Sequence, residues 1–392
     1  MTTQFYEAEQ IIQSALERIP AIQLYIIQNG NPIYDRSFGY IDFDTKQIPV
    51  QDTTRFDMAS VTKLFTTSAF MSMAEEGLLN LDMPVSALLP AFSGLRPIAP
   101  YEAPLEEGTF LDVSDGKTAY VDAGKITFRQ LLSHSAGLPA WRPLYLLANR
   151  TAANWGTLST YFSYQPGDRV VYSDFDLILV GLALEAAARK PLEQVIDERV
   201  CQPLGLRLTG YLPYPDPDAA GMPPQPAANT FNPAEVAPTE ICRWRKRRLV
   251  GEVDDENAGR MGGIAGHAGI FSTAHDIAAM GQSYLPPGRL LKPETITEMT
   301  RQHSPEGQPV RRGIGFDLWV DNPDTSAYPF SPSSFGHTGF TGTSLWVDPQ
   351  RGMVTALLTN EVYHGRANRV IFELRQGVHQ AVVKAVDAAN PS

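Results

Sequence analysis

Two segments with the pattern of a β hairpin lie near opposite ends of this 392-residue chain. The first, residues 21–42, has two apolar stretches around the turn residues Asn29-Gly30-Asn31, and the second covers residues 337–360. Apolar residues at helical spacing precede the first hairpin at 5–19 and follow the second at roughly 366–386. This arrangement predicts an α/β fold in which both ends of the chain build one antiparallel sheet flanked by terminal helices, with the middle as an insertion.

The middle of the chain is predicted to be mostly helical. Helical periodicity covers five segments: 60–77, 126–134, 151–163, 174–189 and 192–201. A proline-rich stretch at 211–238 predicts an irregular loop. Because 392 residues exceed the size at which one hydrophobic core usually stops growing, we expect two domains. One combines residues 1–80 with 265–392, the other is the helical insertion 81–264, and the active site lies between them.

The charge and composition of the chain exclude several classes of partner. The formal net charge is -11, whereas a nucleic-acid-binding surface is basic. No apolar run approaches the ~18–20 residues that span a bilayer. The N-terminal residues lack the basic and apolar regions of a signal peptide, so we expect a cytoplasmic protein, or a secreted one if a leader has been removed. The two cysteines, Cys201 and Cys242, are expected to be reduced thiols, and the oligomeric state is left open.

The four-residue pattern Ser-x-x-Lys occurs twice, at Ser60–Lys63 and at Ser114–Lys117. The second copy contains an Asp-Gly pair in a polar segment, which predicts a loop. The first copy opens the predicted helix 60–77, where residues three apart share one face of the helix. The first copy is therefore the candidate for catalysis.

Ser60 has two interpretations. It is a nucleophile activated by Lys63, or it is a helix cap that precedes a solvated lysine. In the first case burial would lower the pKa of Lys63 and let its amine accept the serine proton. The positive end of the helix would also favour an oxyanion nearby. These four residues alone do not decide between the two interpretations.

Two further motifs bear on this choice. Tyr172 follows a Pro166-Gly167 turn and lies directly before the predicted helix 174–189. The tripeptide His337-Thr338-Gly339 is predicted to begin a strand, where the glycine would let a substrate lie close to the backbone.

In this order the motifs resemble the signatures of the serine β-lactamase and penicillin-binding-protein superfamily, especially its class C β-lactamase, DD-peptidase and esterase branch. The signatures are Ser-x-x-Lys, Tyr-x-Asn and Lys/His-Thr/Ser-Gly. They are matched here by Ser60–Lys63, Tyr172-Ser173-Asp174 and His337-Thr338-Gly339. The stretches ITFRQLLSHSAGLP, QPGDRVVYSD and GIGFDLWV extend the resemblance over most of the chain. The resemblance implies a β-lactamase-like fold and favours the nucleophile over the cap.

The resemblance also implies a role for each of these residues. Ser60 would attack a carbonyl and form an acyl-enzyme, with Lys63 and Tyr172 moving protons to and from it. The backbone N–H groups of Ser60 and Phe340 would form the oxyanion hole. Four further positions would contact the substrate: Asp174, His337, Thr338 and Gly339. No cofactor or metal is implied, and the partners would be small esters or amides, a peptidoglycan fragment or a β-lactam among them.

Two positions depart from the family pattern. Asp174 stands where many members have asparagine, and a carboxylate cannot donate the amide N–H that holds a substrate acylamide. It can pair with Lys63, and we expect the two to act as a proton relay. His337 stands where classical β-lactamases have lysine, and we expect this histidine to be neutral near pH 7. Both departures disfavour efficient β-lactam hydrolysis and leave esters, peptides and other amides open as substrates.

The segment 242–273 combines a basic run at 243–248, an acidic run and a glycine-rich turn. The basic run is expected to be a solvated loop face, the alternative being an electropositive lip of the active site. The glycines lack the context of a phosphate-binding loop. His267 and His275 lack the spacing of a zinc site and are expected to be structural.

The sequence supports three hypotheses about function. The first is a metal-independent serine hydrolase that cleaves an ester or an amide. The second is a catalytically silent, penicillin-binding-like sensor or binding domain, which the intact Ser60, Lys63 and Tyr172 disfavour. The third is a zinc hydrolase, for which the sequence has no recognisable ligand cluster.

Overall fold

The computed structural model describes residues 3–103, 108–111, 120–213, 232–367 and 369–389. The second Ser-x-x-Lys copy and most of the proline-rich stretch lie outside these residues.

The elements of the described chain are as follows. The α-helices are α1 (Tyr6–Ala15), α2 (Thr62–Glu75), α3 (Phe128–Leu132), α4 (Arg150–Leu158), α5 (Asp174–Ala188), α6 (Leu192–Ile196), α7 (Gln202–Leu204), α8 (Glu256–Arg260), α9 (Ala274–Gln282), α10 (Pro293–Thr300) and α11 (Ile371–Ala389). The strands are β1 (Ala21–Gln28), β2 (Asn31–Gly39), β3 (Phe56–Asp57), β4 (Leu95–Pro97), β5 (Tyr101–Glu102), β6 (Phe110–Leu111), β7 (Tyr120–Asp122), β8 (Gly210–Tyr211), β9 (Ile241–Cys242), β10 (Arg247–Arg248), β11 (Ile270–Ser272), β12 (Asp317–Leu318), β13 (Phe335–Thr338), β14 (Ser344–Asp348) and β15 (Met353–Thr359).

Strands from both ends of the chain form one antiparallel sheet. Its order is β12-β13-β14-β15-β1-β2. The two ends meet where β1 pairs with β15, from Ile22 opposite Thr359 to Gln28 opposite Met353. This confirms the predicted fold class, because both predicted hairpins form and then pair with each other.

Strand β1 is covered on both faces of the sheet, which explains why its side chains are apolar or aromatic except at Gln23 and Gln28. Ile22, Leu24 and Ile26 belong to a hydrophobic cluster with side chains of α1 and α11. Tyr25 and Ile27 point to the opposite face and belong to the larger cluster that contains α2, α5 and α9. Because side chains alternate along a strand, a strand covered on both sides shows no polar alternation.

Several predicted bounds differ from the observed ones. The helix predicted from residue 60 begins with a 3-10 turn at Ala59–Val61, and α2 follows at Thr62. The motif His337-Thr338-Gly339 ends β13 and does not begin a strand. The reason is a tight turn into β14, which the Gly339 N–H closes by donating to the Thr343 carbonyl at 2.7 Å.

Helix α2 lies in the interior of the molecule and contains Lys63 in its first turn. Most of its side chains are buried, and it packs against α5, whose first residue is Asp174.

The division of the chain at residues 80/81 and 264/265 stays a prediction. Among the described helices, none has the length and apolar character that a membrane span requires.

Candidate active site

The turn that presents Ser60 has a strained backbone. Ala59 has φ +45°, a left-handed conformation that costs a non-glycine residue on the order of 1–3 kcal/mol. The Ala59 N–H donates to Asp57 Oδ1 at 2.8 Å. Thr343, in the turn after β13, donates to the Met58 carbonyl at 3.0 Å. These contacts hold the turn in place between β3 and α2.

Lys63 follows Ser60 by one helical turn, and its side chain is only 1% exposed. Its Nζ donates hydrogen bonds to Ser60 Oγ at 2.9 Å and to Asp174 Oδ1 at 2.8 Å. A third bond, at 3.2 Å, goes to the carbonyl of His267 in the glycine-rich segment. No side chain caps the 3-10 turn or α2. Ser60 therefore contacts Lys63 and does not act as a helix cap.

The pKa of Lys63 moves in the direction opposite to the expected one. Burial lowers it, but the Asp174 carboxylate raises it, and the net direction is upward. Lys63 is therefore an ammonium at neutral pH, held between a serine oxygen and a carboxylate. The expectation of a lowered pKa is wrong because it considers burial without the counter-ion.

Tyr172 lies directly before α5, as predicted, and charged and aromatic groups surround its ring. Lys63 Nζ lies 4.8 Å and Arg312 Cζ 5.0 Å from the ring centre. The rings of His134 and His337 lie at 4.6 Å and 5.9 Å. The hydroxyl is buried and has no well-formed hydrogen bond to any described residue. Burial raises the pKa of this phenol and Lys63 lowers it only in part, so Tyr172 is neutral with a proton to donate.

His337 is buried and carries no charge near neutrality. Its Nδ1 lies 2.8 Å from the Thr338 carbonyl, and burial lowers its pKa to about 4, with Asp317 opposing the shift. The third signature therefore supplies no cation at this point of the site. Arg312, in an ion pair with Asp317, is the cation beside it.

Gly339 is required by packing. A Cβ at this position would lie 2.1 Å from Thr343 Oγ1 and 2.5 Å from the Met58 carbonyl oxygen. The group packed against Gly339 is the turn that carries Ser60, and the expected approach of a substrate to this backbone stays a prediction. Only glycine lets the end of β13 pack this closely against that turn.

Two arginines hold the Phe340 peptide from its carbonyl side. Arg369 donates to the Phe340 carbonyl. Arg375 Nη2 donates to the carbonyls of Gly339 at 2.8 Å and Thr343 at 2.7 Å. In a trans peptide the carbonyl and the following N–H point in opposite directions, so the bond to Gly339 fixes the direction of the Phe340 N–H. Among the described residues no acceptor binds this N–H.

A cavity of about 400 Å³ collects the predicted site residues. Its wall contains Ser60, Tyr172 and Asp174, together with the segment 337–340. Lys63 lies beneath this wall and reaches it through its bond to Ser60. The volume is in the range of small-molecule sites.

Charged side chains without a predicted role also border the cavity: Arg312, Arg366, Arg369, Arg375, Asp254, Asp255, Glu256 and Asp317. They come from separate segments of the chain. Single arginines are common on protein surfaces, so no local sequence pattern distinguishes the arginines that line this cavity from the others. The acidic run at 254–256 was visible in the sequence as three consecutive carboxylates, but nothing local related it to Ser60.

The basic run at 243–248 does not line the cavity, and most of it is not a solvated face either. Arg245 is buried and donates to a backbone carbonyl. Arg247 forms an ion pair, and Arg248 lies against an aromatic ring. The expectation holds only for Arg243 and Lys246, which are exposed.

Among the described residues, the fold brings together one group of side chains of metal-ligand type that no local sequence pattern indicates. Asp174, Asp255 and His267 each place a candidate ligand atom within 4.8 Å of the others. Asp174 is already paired with Lys63, and Asp255 Oδ1 lies 2.9 Å from His267 Nε2. A metal ion at this point would compete with an ammonium for the same carboxylate.

The family model of beta-lactamases matches residues 8–378. The chain belongs to the beta-lactamase family. Family membership over nearly the whole chain confirms the resemblance seen in the three signatures, and this beta-lactamase-family protein is a serine hydrolase. A relative from Salmonella enteritidis PT4 (strain P125109), provisionally named D-alanyl-D-alanine carboxypeptidase, is 30% identical over 387 residues. The match covers 89% of this chain and 80% of the relative.

Solved structures of low sequence identity share the beta-lactamase-family fold. Simvastatin synthase (LovD) from Aspergillus terreus superposes with a TM-score of 0.72 at 21% identity, covering 100% of both chains. EstCE1, a hydrolase with promiscuous acyltransferase activity, superposes with a TM-score of 0.67 at 24% identity and covers 97% of this chain and 98% of its own. At such identities the similarity establishes the fold alone.

Proposed function

We propose that this beta-lactamase-family hydrolase cleaves esters or amides through an acyl-enzyme on Ser60. The observation that carries the proposal is a pair of hydrogen bonds from Lys63 Nζ, 2.9 Å to Ser60 Oγ and 2.8 Å to Asp174 Oδ1. They connect a hydroxyl at the cavity wall to a proton acceptor through a single nitrogen. A serine needs such a connection because its protonated hydroxyl is a poor nucleophile.

The proton of Ser60 ends on Asp174 in this proposal. Lys63 is an ammonium, so it accepts a proton only as it releases one. As Ser60 Oγ attacks the substrate carbonyl, its proton passes to Lys63 while a Lys63 proton passes to Asp174. Lys63 stays charged and the Asp174 carboxylate becomes a neutral acid, which balances the transfer.

Tyr172 completes the cycle on the leaving-group side. Its neutral phenol donates a proton to the leaving oxygen or nitrogen as the carbonyl bond to that atom breaks. The proton stored on Asp174 then returns through Lys63 to the Tyr172 oxygen. Deacylation runs these transfers in reverse, with water taking the place of the leaving group. The Tyr172 proton passes through Lys63 to Asp174, the Tyr172 oxygen takes a proton from the attacking water, and the proton on Asp174 returns through Lys63 to Ser60 Oγ as the acyl bond breaks.

The backbone N–H groups of Ser60 and Phe340 are proposed to hold the oxyanion that forms during attack. Support comes from the Phe340 peptide, whose N–H is left unbonded by the described residues while arginines occupy the carbonyls around it. Loss of one donor of this type costs ~10²–10³ in rate.

Esters and small peptide amides suit this site better than β-lactams. Asp174 has no N–H to offer a β-lactam acylamide, and the neutral His337 does not attract a carboxylate. A carboxylate on the leaving group, of a peptide or of a β-lactam alike, would meet the Arg312 guanidinium at the cavity wall, where it would share this cation with Asp317. The preference over β-lactams therefore rests on Asp174. Such a leaving group agrees with the carboxypeptidase name of the relative.

Intact-protein mass spectrometry tests the proposal. The protein is exposed to p-nitrophenyl butyrate, a fluorophosphonate and a penicillin, with Ser60→Ala as the control. We expect ester turnover and a fluorophosphonate adduct, both lost in Ser60→Ala. A folded protein that gains no adduct and turns over no ester would contradict the proposal and favour the silent binding domain.

A further inference from the structure

The segment before α8 places three consecutive acidic residues in the cavity wall, Asp254, Asp255 and Glu256, here called the acidic wall. Asp255 Oδ1 is satisfied by the Ala258 N–H at 2.7 Å and lies 2.9 Å from His267 Nε2. Asp254 is different: its side chain is 3% exposed, and its Oδ1 has no hydrogen-bond partner among the described residues. A buried carboxylate oxygen without a partner at a cavity wall indicates that a donor or cation is missing.

The positive charge at the acidic wall is too small for the number of carboxyl groups. Arg366 Nη2 lies 2.7 Å from Glu256 Oε1 and 2.8 Å from Glu240 Oε1. It also lies 3.8 Å from Asp254 Oδ2. Asp57, which is buried as well, accepts the Asp254 N–H at 2.6 Å. One guanidinium therefore contacts three carboxyl groups, and the fourth, Asp57, forms no ion pair among the described residues.

The pKa values of Asp57 and Glu256 are both raised in this cluster, where carboxyl groups outnumber cations. Burial, followed by the charge of Asp254, raises the pKa of Asp57 to about 7. Burial also raises the pKa of Glu256 to about 7, even though Arg366 opposes the shift. Part of the cluster is therefore protonated near neutrality, and an added cation would allow it to ionise.

The other cations of the site do not fill this deficit, because each already has its own partner. The pairs are Lys63 with Asp174, Arg312 with Asp317, Arg369 with Glu361, and Arg375 with two backbone carbonyls.

We propose that the acidic wall binds a protonated amine of the substrate, so that aminoacyl esters and amides are preferred over their neutral or N-acylated counterparts. The inference rests on the proposed function of Ser60. Asp255 and Asp174 carry oxygens within 4.8 Å of each other, and only the Lys63 nitrogen lies between Asp174 and Ser60 Oγ. An ammonium beside Asp255 is thus a short distance from a carbonyl at Ser60, and Asp254 is the adjacent residue of the acidic wall. That reach fits an amino acid or a short amino-alkanoyl group.

An ammonium suits this place better than a metal dication. The nearby Lys63 and Arg366 would repel two added charges more strongly than one. The available acceptors also fit, because an ammonium needs one to three oxygens as hydrogen-bond acceptors and imposes no fixed coordination shell.

The test compares the p-nitroanilides of D-alanine and L-alanine with their N-acetyl derivatives at neutral pH. We expect the better free-amine substrate to exceed its N-acetyl derivative about tenfold in kcat/KM. Asp254→Asn keeps the shape of the side chain and should reduce this ratio to about threefold or less. Glu235→Gln, which neutralises a carboxylate that is 53% exposed and outside the cavity, should retain the ratio.

A measurement on the wild-type protein covers the case in which Asp254→Asn does not fold. Propylamine should inhibit p-nitrophenyl butyrate hydrolysis competitively at concentrations where propionamide does not. Ser60-dependent ester hydrolysis with no amine preference and no inhibition by propylamine overturns the amine site alone. Absence of any Ser60-dependent hydrolysis overturns both this inference and the proposed function. An amine preference that a chelator abolishes assigns the wall to a metal ion and also overturns the inference.

Discussion

Arg375 Nη2 donates a hydrogen bond to the carbonyl oxygen of Gly339 at 2.8 Å, and the Arg375 side chain is almost wholly buried. Burial lowers the pKa of Arg375 to about 9, so the guanidinium is still charged at neutral pH. Its hydrogen bonds go to carbonyl oxygens, and burying a charge in this way costs stability. What the contact provides is a fixed orientation of the peptide that ends in the Phe340 N–H. We therefore regard Arg375 as a positioning residue for the proposed oxyanion hole.

Arg375→Met is expected to lower kcat for p-nitrophenyl butyrate about 10–100-fold with little change in KM, because an oriented oxyanion donor acts mainly in the transition state. Arg375→Lys should restore part of kcat. Lys384→Met, at an exposed position of the same helix, is the matched control. A variant that changes KM and leaves kcat intact would refute the positioning role.

Asp174→Asn is expected to retain acylation and to move the acid limb of the pH–rate profile to higher pH. Without the carboxylate, burial dominates and the pKa of Lys63 falls, so that Lys63 becomes the base and works only once it is neutral. The measurement is kcat/KM for p-nitrophenyl butyrate between about pH 5 and 9. An Asp174→Asn protein that no reagent acylates at any pH in this range would contradict the prediction that neutral Lys63 takes over as the base.

The same substitution is expected to shift substrate preference toward penicillins. An asparagine at 174 offers the amide N–H that the carboxylate lacks, so the rate of penicillin acylation relative to ester acylation should rise. Stopped-flow kinetics or quenched mass spectrometry of the wild-type protein and of Asp174→Asn gives this ratio. An unchanged ratio would mean that Asp174 does not face the acylamide.

Gly339→Ala is expected to destabilise the protein by ~1–3 kcal/mol and to abolish most activity. The added methyl group overlaps Thr343 Oγ1 and the Met58 carbonyl oxygen, so the end of β13 must move away from the Ser60 turn. Gly210→Ala is the control, because a Cβ there meets no atom within 4 Å. Thermal unfolding and ester hydrolysis of the two variants check the prediction, and equal behaviour would count against it.

Stability is expected to be greatest near pH 6.5. The folded-state pKa of Asp57 and of Glu256 is raised to about 7, so each carboxyl binds more protons in the folded than in the unfolded state, and stability falls as pH rises through 7. The pKa values of His337 and His379 are lowered by burial, whereas His134 makes little net contribution because burial raises the pKa of its partner Asp176 while it lowers that of the histidine. Stability therefore also falls as pH drops below the unfolded pKa values of His337 and His379, where unfolding allows them to protonate. Melting temperatures across this range check the maximum, and Glu256→Gln should flatten its alkaline side.

The sheet and the three signatures could be predicted because both are local properties of the sequence. The pattern 21–42 contains its own turn, and the spacing of Ser60 and Lys63 specifies one helix face without reference to the rest of the chain. The prediction that both ends share one sheet follows from where the hairpins lie. Exact helix ends, such as the start of α11 at Ile371, depend on packing that these patterns do not encode.

The Lys63–Asp174 pair and the neutral His337 are expected from the signatures. The net direction of the Lys63 pKa and the other charges of the site could not be predicted, because they depend on distances between remote segments. The pKa of Lys63 is set by Asp174, which is far along the chain and becomes a neighbour only when α5 packs against α2. Arg312 and Asp254 show the same limit, since each acquires its place in the cavity wall from tertiary structure. At Gly339 the structure adds a close contact with the turn that carries Ser60, whereas the contact with a substrate stays a prediction.

The buried ion pair beneath Ser60 has a consequence for engineering heat resistance. Replacing Lys63 and Asp174 together by apolar side chains of similar volume would remove two largely desolvated charges, a change that often raises thermal stability. The most heat-resistant variants of this chain would then be inactive ones. A selection for survival at high temperature must therefore score turnover in the same step, or it will remove the groups that make the chain a catalyst.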